Sequence, residues 1–285
     1  MKLRVKMLLW VGIPFCIIFF AVSIFSYWNA STLLIEATQK EMMTLAELDA
    51  EQVNETIQRQ RDVLDGLTEA WAGNLPSNEA FAPIGASFMK RNEVNTLFIG
   101  FPERDFLDSQ EGVVPKSEFD ATSRDWYKEA VQKDGVQISD IYMDSFQNIK
   151  VVTLSKAVRN NNELLGVVAA DILFDEIEKK VASFKVGETG EAFMLDASGR
   201  FIAHPALTLD DNVHDEGEDK AKKFLSKEPI FFESSYQGVD MFFAEHPVGD
   251  TGWSLILFVP QEEIFAAVAH LKWLMIACAL TALLL

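Results

Sequence analysis

KVVTLSKAVRNNNELLGVVAADI, residues 150–172, is the stretch that decides the fold class. Two runs rich in Val, Leu, Ala and Thr flank Asn160-Asn161-Asn162, and this pairing of strand formers with turn formers predicts an antiparallel hairpin. More strands lie upstream: NTLFIGF (95–101), followed by a polar turn and DFLDS, and VQISDIYMD (136–144). Between them SRDWYKEAVQKDG (123–135) reads as a short helix, with Ser123 as N-cap and Gly135 as its stop. FDEIEKKVASF (174–184) is helical and leads away from this group.

A second group follows. GEAFMLD (190–196) and RFIAHP (200–205) flank the turn Ala197-Ser198-Gly199, and a charged helix-like stretch runs from about Glu216 to Leu225. PIFFESSY, VDMFFAEHPV and WSLILFVP are three more strands, the first two joined through Gln237-Gly238. Each group predicts a mainly antiparallel sheet with helices to one side, an α+β fold. The groups do not match residue for residue, so the duplication is one of architecture.

Upstream of both, residues 28–72 hold no Pro, and Gly66 is their single Gly. Leu33, Leu34, Met42, Leu45, Leu48, Val53, Ile57, Val63, Leu64 and Leu67 recur at spacings near three and four, which predicts one long amphipathic stalk helix or two stacked end to end. Some forty helical residues extend roughly 60 Å at 1.5 Å each.

The two ends are apolar. Met7 to Tyr27 contains no charge and is long enough to cross a bilayer, and Lys2, Arg4 and Lys6 before it place residues 1–6 on the cytoplasmic side. A cleaved signal peptide is the alternative, but the run exceeds a usual signal core and ends without a small-x-small site. The region 266–285 finishes in WLMIACALTALLL, too short to span, and is expected to be the start of a second transmembrane helix leading to a cytoplasmic output module. All 43 acidic residues lie between the apolar runs, so the exported region is more acidic than the chain's net charge of −18 and repels nucleic acid. Both cysteines, Cys16 and Cys278, sit in the apolar runs, leaving the exported region without a disulfide, as suits a bacterial periplasm.

One constellation carries chemistry. Arg124 and Tyr127 are three apart on a helix, Tyr142 and Asp144 share a strand face, and Asp171 ends an apolar strand. A guanidinium matches a carboxylate, two aspartates neutralise an ammonium, and aromatic rings favour a cation over their faces. Together these describe a pocket for a zwitterion such as an α-amino acid. The competing reading is surface salt bridges for Arg124 and the aspartates, with Trp126 and Tyr127 filling the core.

The whole arrangement resembles the double Cache (dCache) sensor domain of bacterial chemoreceptors, the methyl-accepting chemotaxis proteins. Local matches are RDWY, GEAFMLDASGRFIAHP opening the second module, and GWSLILFVPQEEIF leading back to the membrane. The resemblance implies a membrane-distal PAS-like module over 73–184, a membrane-proximal one over 185–265, and an inner-membrane receptor that dimerises along its stalk helices. An amino-acid-binding subset of the family carries a tyrosine, then R-x-W-Y, Y-x-D and a later aspartate. By that resemblance Arg124 and Trp126 hold the ligand carboxylate, Asp144 and Asp171 the ammonium, and Tyr127 and Tyr142 add hydroxyl contacts and walls. The early tyrosine is Phe119 here, and Asp125 stands where proline is common. Met143, Phe146 and the loop between FPERDF and SEFDATS are expected to select the ligand side chain.

Other chemistry has little support. His204, His214, His246 and His270 lack a metal-ligand spacing, and TLDDNVHDEGEDK (208–220) lacks the order of a calcium loop. No G-x-S-x-G, exported cysteine nucleophile or P-loop occurs, so neither a catalytic residue nor a cofactor is expected. Two rival functions remain open: the same sensor on a histidine kinase or cyclic-dinucleotide enzyme, or an exported domain that binds a partner protein.

Overall fold

The computed structural model describes Trp10 and residues 13–92, 94–266 and 268–269. The basic residues 1–6, the beginning of the first apolar run and nearly all of the second lie outside the described residues. Helix α1, Ile13–Ala70, is a single unbroken element of 58 residues. Among the described residues it is the helix long and apolar enough to cross a membrane. Its outer part packs through Met42, Ala46, Ala50, Val53, Ile57 and Leu64, all at most 1% exposed. Those positions repeat at three, four and seven, so they form one stripe. Leu33 and Leu48 fall off that stripe and are 57% and 55% exposed, so the apolar face is narrower than the sequence implied.

Helix α2, Asn78–Asn92, was not legible in the sequence, because Pro83 and Gly85 interrupt its apolar run; it buries Phe81 and Phe88 in the core cluster shared with α1. The first sheet contains β1 (Thr96–Gly100), β2 (Phe106–Asp108), β3 (Gly112–Val114), β4 (Gln137–Ile138), β5 (Tyr142–Met143), β6 (Lys150–Asn160) and β7 (Glu163–Leu173). Its order is β3-β2-β1-β7-β6-β4, with β5 also on β6, and every pairing is antiparallel. The β6–β7 hairpin turns at Asn161 and Asn162, both with positive φ (48° and 72°), as the asparagine run predicts.

VQISDIYMD is not one strand. β4 and β5 are separated at Ser139–Ile141, where the Ser139 hydroxyl accepts the Thr153 N–H at 2.9 Å in place of a strand carbonyl. Helix α3, Asp125–Gln132, also starts differently from the expectation. Ser123 is not its N-cap; it ends a 3₁₀ turn, Ala121–Ser123, and its hydroxyl donates to the Asp120 carbonyl at 2.7 Å. Asp120 caps that turn by accepting from Thr122 N–H, and Arg124 occupies the helix N-cap position without a side-chain cap.

Alternation along the strands gives the sheet two buried faces. Leu97, Ile99, Val152, Leu154, Val168 and Ala170 face α1 and α2, while Phe98, Val167 and Ala169 face α3. Helices therefore cover both sides, not one, because the central strands are apolar at both parities.

Helix α4, Phe174–Ser183, leads to the second sheet: β8 (Glu191–Leu195), β9 (Phe201–Ala203), β10 (Ile230–Tyr236), β11 (Val239–Val248) and β12 (Trp253–Pro260). Helix α5, Glu218–Phe224, precedes β10. The order is β10-β11-β12-β8-β9, and α1 again covers one face, through Phe242, Ala244, Leu255 and Leu257. Residues 261–266 continue from β12 as a helix, α6.

Candidate functional site

The face of the first sheet beneath α3 carries a polar row at one end. Thr96, Asp171 and Thr153 are register partners across β1, β7 and β6, so their side chains stand side by side. Asp171 is 1% exposed and accepts from the Thr153 hydroxyl at 2.6 Å. No cation lies within ion-pair distance of it among the described residues. Burial pushes its carboxyl up to about 8, and the Asp144 and Asp108 charges act in the same direction.

Tyr142 reaches this row from β5. Its hydroxyl lies 2.7 Å from Thr153 Oγ1, and burial followed by the Asp171 charge holds its own ionisation well above the usual tyrosine range. Arg124 and Asp144 also act electrostatically on that hydroxyl. Asp144 does not continue the strand; it follows β5, and its carboxylate accepts from the Phe146 and Gln147 amides at 3.1 and 2.7 Å.

Arg124 is exposed, donates to Ser145 Oγ at 3.2 Å and sits 4.7 Å over the Phe119 ring. Phe119 in turn packs against Phe106 and Phe146, at 4.7 and 5.2 Å between centroids. Phe146 of this cluster is partly exposed, and so is Met143 of β5. Trp126 and Tyr127 are buried, Trp126 edge-on to Phe98 at 5.1 Å. The core-filling reading therefore holds for the packing of these two rings. The salt-bridge reading does not hold, since neither Arg124, Asp144 nor Asp171 forms an ion pair among the described residues. Tyr127 adds a buried hydroxyl without a hydrogen-bond partner.

Sequence reasoning missed Thr96, Thr153, Ser145 and Asp108. Asp108, buried on β2 opposite Phe98, accepts from Thr96 at 3.3 Å and from the Gln110 and Glu111 amides. Its signal was present in DFLDS, where it shares a strand face with Phe106. Thr153 alternates with Val151 and Ser155 inside an apolar strand, which marks a polar residue turned inward.

The second sheet lacks such a row. Near one end of it, Glu191, Phe258 and Phe243 are register partners across β8, β12 and β11. Phe193, Phe201, Phe224 and Phe232 pack around them. His204 is accounted for structurally: Nδ1 accepts from the Ala206 and Leu207 amides, both at 2.9 Å, which leaves Nε2–H to face the Tyr236 hydroxyl. Among the described residues no group of three or more His, Cys, Asp or Glu side chains is placed to hold a metal.

The dCache_1 family model, described as a Cache domain, matches residues 30–268, and the chain belongs to this family. The methyl-accepting chemotaxis protein TlpB of Bacillus subtilis (strain 168) is 27% identical over 243 residues, which are 81% of this chain and 35% of that relative. The chain thus spans about a third of that relative's length. The ligand-binding domain of the Pseudomonas fluorescens chemoreceptor CtaA, in complex with L-isoleucine, matches with a TM-score of 0.69 at 18% identity, covering 84% of this chain and 99% of that one. The ligand-binding domain of the Pseudomonas aeruginosa PAO1 amino acid chemoreceptor PctC, in complex with GABA, matches with a TM-score of 0.66 at 21% identity, covering 78% and 99%. Both likenesses are of fold.

Proposed function

We propose that this chain is the sensor region of a transmembrane chemoreceptor, and that it binds an L-amino acid or a similar small zwitterion beneath α3. The observation that carries the reading is an unmatched set of opposite charges. Arg124 has no anionic partner among the described residues, Asp171 is buried without a cationic one, and Tyr142 feels both. A ligand with a carboxylate for Arg124 and an ammonium for Asp171 and Asp144 supplies what each lacks. The relatives support this reading, since two fold neighbours hold isoleucine and GABA, each with a carboxylate and an ammonium.

In this reading residues 73–184 form the membrane-distal module, 185–265 the proximal one, and 28–72 the stalk. Residues 7–27 span the inner membrane, and a second span begins at 266–285, placing the sensor in the periplasm. The exposed Leu33 and Leu48 on α1 suit a homodimer paired along the stalk. In this reading the bound state is signalled to cytoplasmic partners.

The test is a thermal-shift screen of residues 30–270 against amino acids, amines and carboxylates, with Arg124→Ala and Asp171→Ala alongside. Stabilisation by a few α-amino acids, lost in both folded variants, is the expected result. A folded wild-type domain that responds only to compounds lacking one of the two charges sinks the zwitterion reading.

A further inference from the structure

The exit from the second sheet is tied to its entrance. α4 begins three residues after Asp171 and ends at Ser183, and the loop from Val186 to Gly190 then opens the second sheet. At the far end, α6 follows β12 in the chain, ahead of the second apolar run. Glu263 of α6 places its carboxylate in the opening loop, where it accepts from the Glu188 amide at 2.6 Å, the Thr189 amide at 3.0 Å and the Thr189 hydroxyl. The joined segments lie 75 residues apart in sequence.

The loop is shaped for this contact. Val186 and Gly190 close it with two backbone hydrogen bonds, at 3.4 and 2.9 Å. Gly187 has φ +61°, and a Cβ there would fall 2.1 Å from Glu263 Oε1; one on Gly190 would fall 2.4 Å from the Val186 carbonyl. A carboxylate received by successive backbone N–H groups is a strong, geometrically demanding contact.

The upstream end of this path is also anchored. Phe174, the first residue of α4, meets Trp253 of β12 edge-on at 5.9 Å. Lys180 Nζ donates to the Gln52 carbonyl at 2.7 Å and to Thr56 Oγ1 at 3.2 Å, both on α1. Movement of α4 can reach α6 through the common core, where Ile264 and Phe265 pack against the cluster that holds Ile177 and Val181, through β12, or through the Glu263 contact. The route through β12 requires a strand hydrogen-bonded on both sides, to β11 and β8, to slip its register. The Glu263 contact joins α6 to the loop that follows α4, without passing through β12.

We propose that the Glu263 carboxylate, seated in the loop at residues 187–189, is the positioning contact that passes displacement of α4 to α6 and hence towards the membrane. Glu263 acts through the loop and the helix it belongs to, not through a ligand.

The test uses the whole chain in lipid nanodiscs and amide hydrogen exchange of wild type, Lys180→Ala, Glu263→Gln and the double variant. Lys180→Ala removes the hydrogen bonds that tie α4 to α1, leaving their apolar packing, and should speed exchange at Glu188, Thr189 and the α6 amides by about tenfold, the weight of one charge-assisted hydrogen bond. With Glu263→Gln in place, the response should stop at the loop, so that α6 exchanges in the double variant as it does in Glu263→Gln alone. A purely structural role would raise α6 exchange in Glu263→Gln yet leave its response to Lys180→Ala intact, and that result overturns the proposal. So does an α6 that ignores Lys180→Ala in the wild-type background. Because no ligand is used, either outcome is independent of the zwitterion reading.

Discussion

Tyr142 and Asp171 are joined through one hydroxyl. With Asp171 ionised, Thr153 gives its proton to Asp171 Oδ1 at 2.6 Å, so the Tyr142 hydroxyl, 2.7 Å from Thr153 Oγ1, is then the donor to it. Among the described residues only Thr153 donates to the Asp171 carboxylate, which leaves its second oxygen free for a ligand's N–H.

Binding should therefore release a proton. With Asp171 pushed up to about 8, the ligand-free site is mostly protonated at pH 7, and an ammonium beside it favours the ionised form. Affinity should rise with pH below 8, by up to about tenfold per unit, and level off above it. Calorimetry in two buffers of different ionisation enthalpy measures the released proton. Asp171→Asn should abolish both the release and most of the affinity, and a wild-type affinity that is flat from pH 6 to 8 contradicts the assignment.

Arg124 and Trp126 make opposite predictions although they are two residues apart. Arg124 is exposed, and its side chain makes one hydrogen bond, to Ser145, besides its contact with the Phe119 ring, so Arg124→Ala should leave stability within about 0.5 kcal/mol. It should cost at least about 2 kcal/mol of ligand affinity, some thirtyfold, by leaving the ligand carboxylate unmatched. Trp126→Ala removes a buried ring and should destabilise by about 3–5 kcal/mol whatever the ligand. Parallel melting and titration separate the two effects.

What the sequence conveyed and what it hid differ physically. Arg124, Tyr142, Asp144 and Asp171 were legible because residue type and spacing alone carry them. The row that supports Asp171 was not. A two-residue turn pairs Asn160 with Glu163, and continuing that register would set Thr153 against Ala170 and turn Asp171 to the opposite face. A bulge at Leu165 shifts the pairing by one and brings Thr153 opposite Asp171. Gly166 follows because a Cβ there would lie 2.9 Å from the Gly100 carbonyl. Such a bulge leaves no mark in residue periodicity, and neither does the break at Ser139–Ile141.

Tyr127 tests whether the buried rings also touch ligand. Its hydroxyl is buried without a partner, so Tyr127→Phe should leave the ligand-free domain as stable as wild type within about 0.5 kcal/mol, or slightly more stable. If the hydroxyl meets the ligand, the same change should weaken binding by about 1 kcal/mol. Unchanged affinity assigns Tyr127 to the wall alone.

Glu245 provides a pH effect remote from the ligand. It lies on β11 between Ile230 and Ile256, fully buried, with neither carboxyl oxygen hydrogen-bonded and the Ser254 hydroxyl nearby but outside bonding geometry. Burial pushes it up to about 8 from an ordinary value of 4.5. Below the ordinary value the folded and unfolded chains both hold the proton, and the residue contributes nothing to pH dependence. As pH rises towards 8 the unfolded chain releases its proton while the folded chain keeps it, so stability falls through that window. Asp171 adds to the same decline in the ligand-free protein. Glu245→Leu suits the apolar surroundings and should stabilise the domain by about 1–3 kcal/mol at pH 8, less at pH 5, without altering ligand affinity. Thermal melts at the two pH values give the comparison, and an equal gain at both would mean that Glu245 titrates as an ordinary carboxylate.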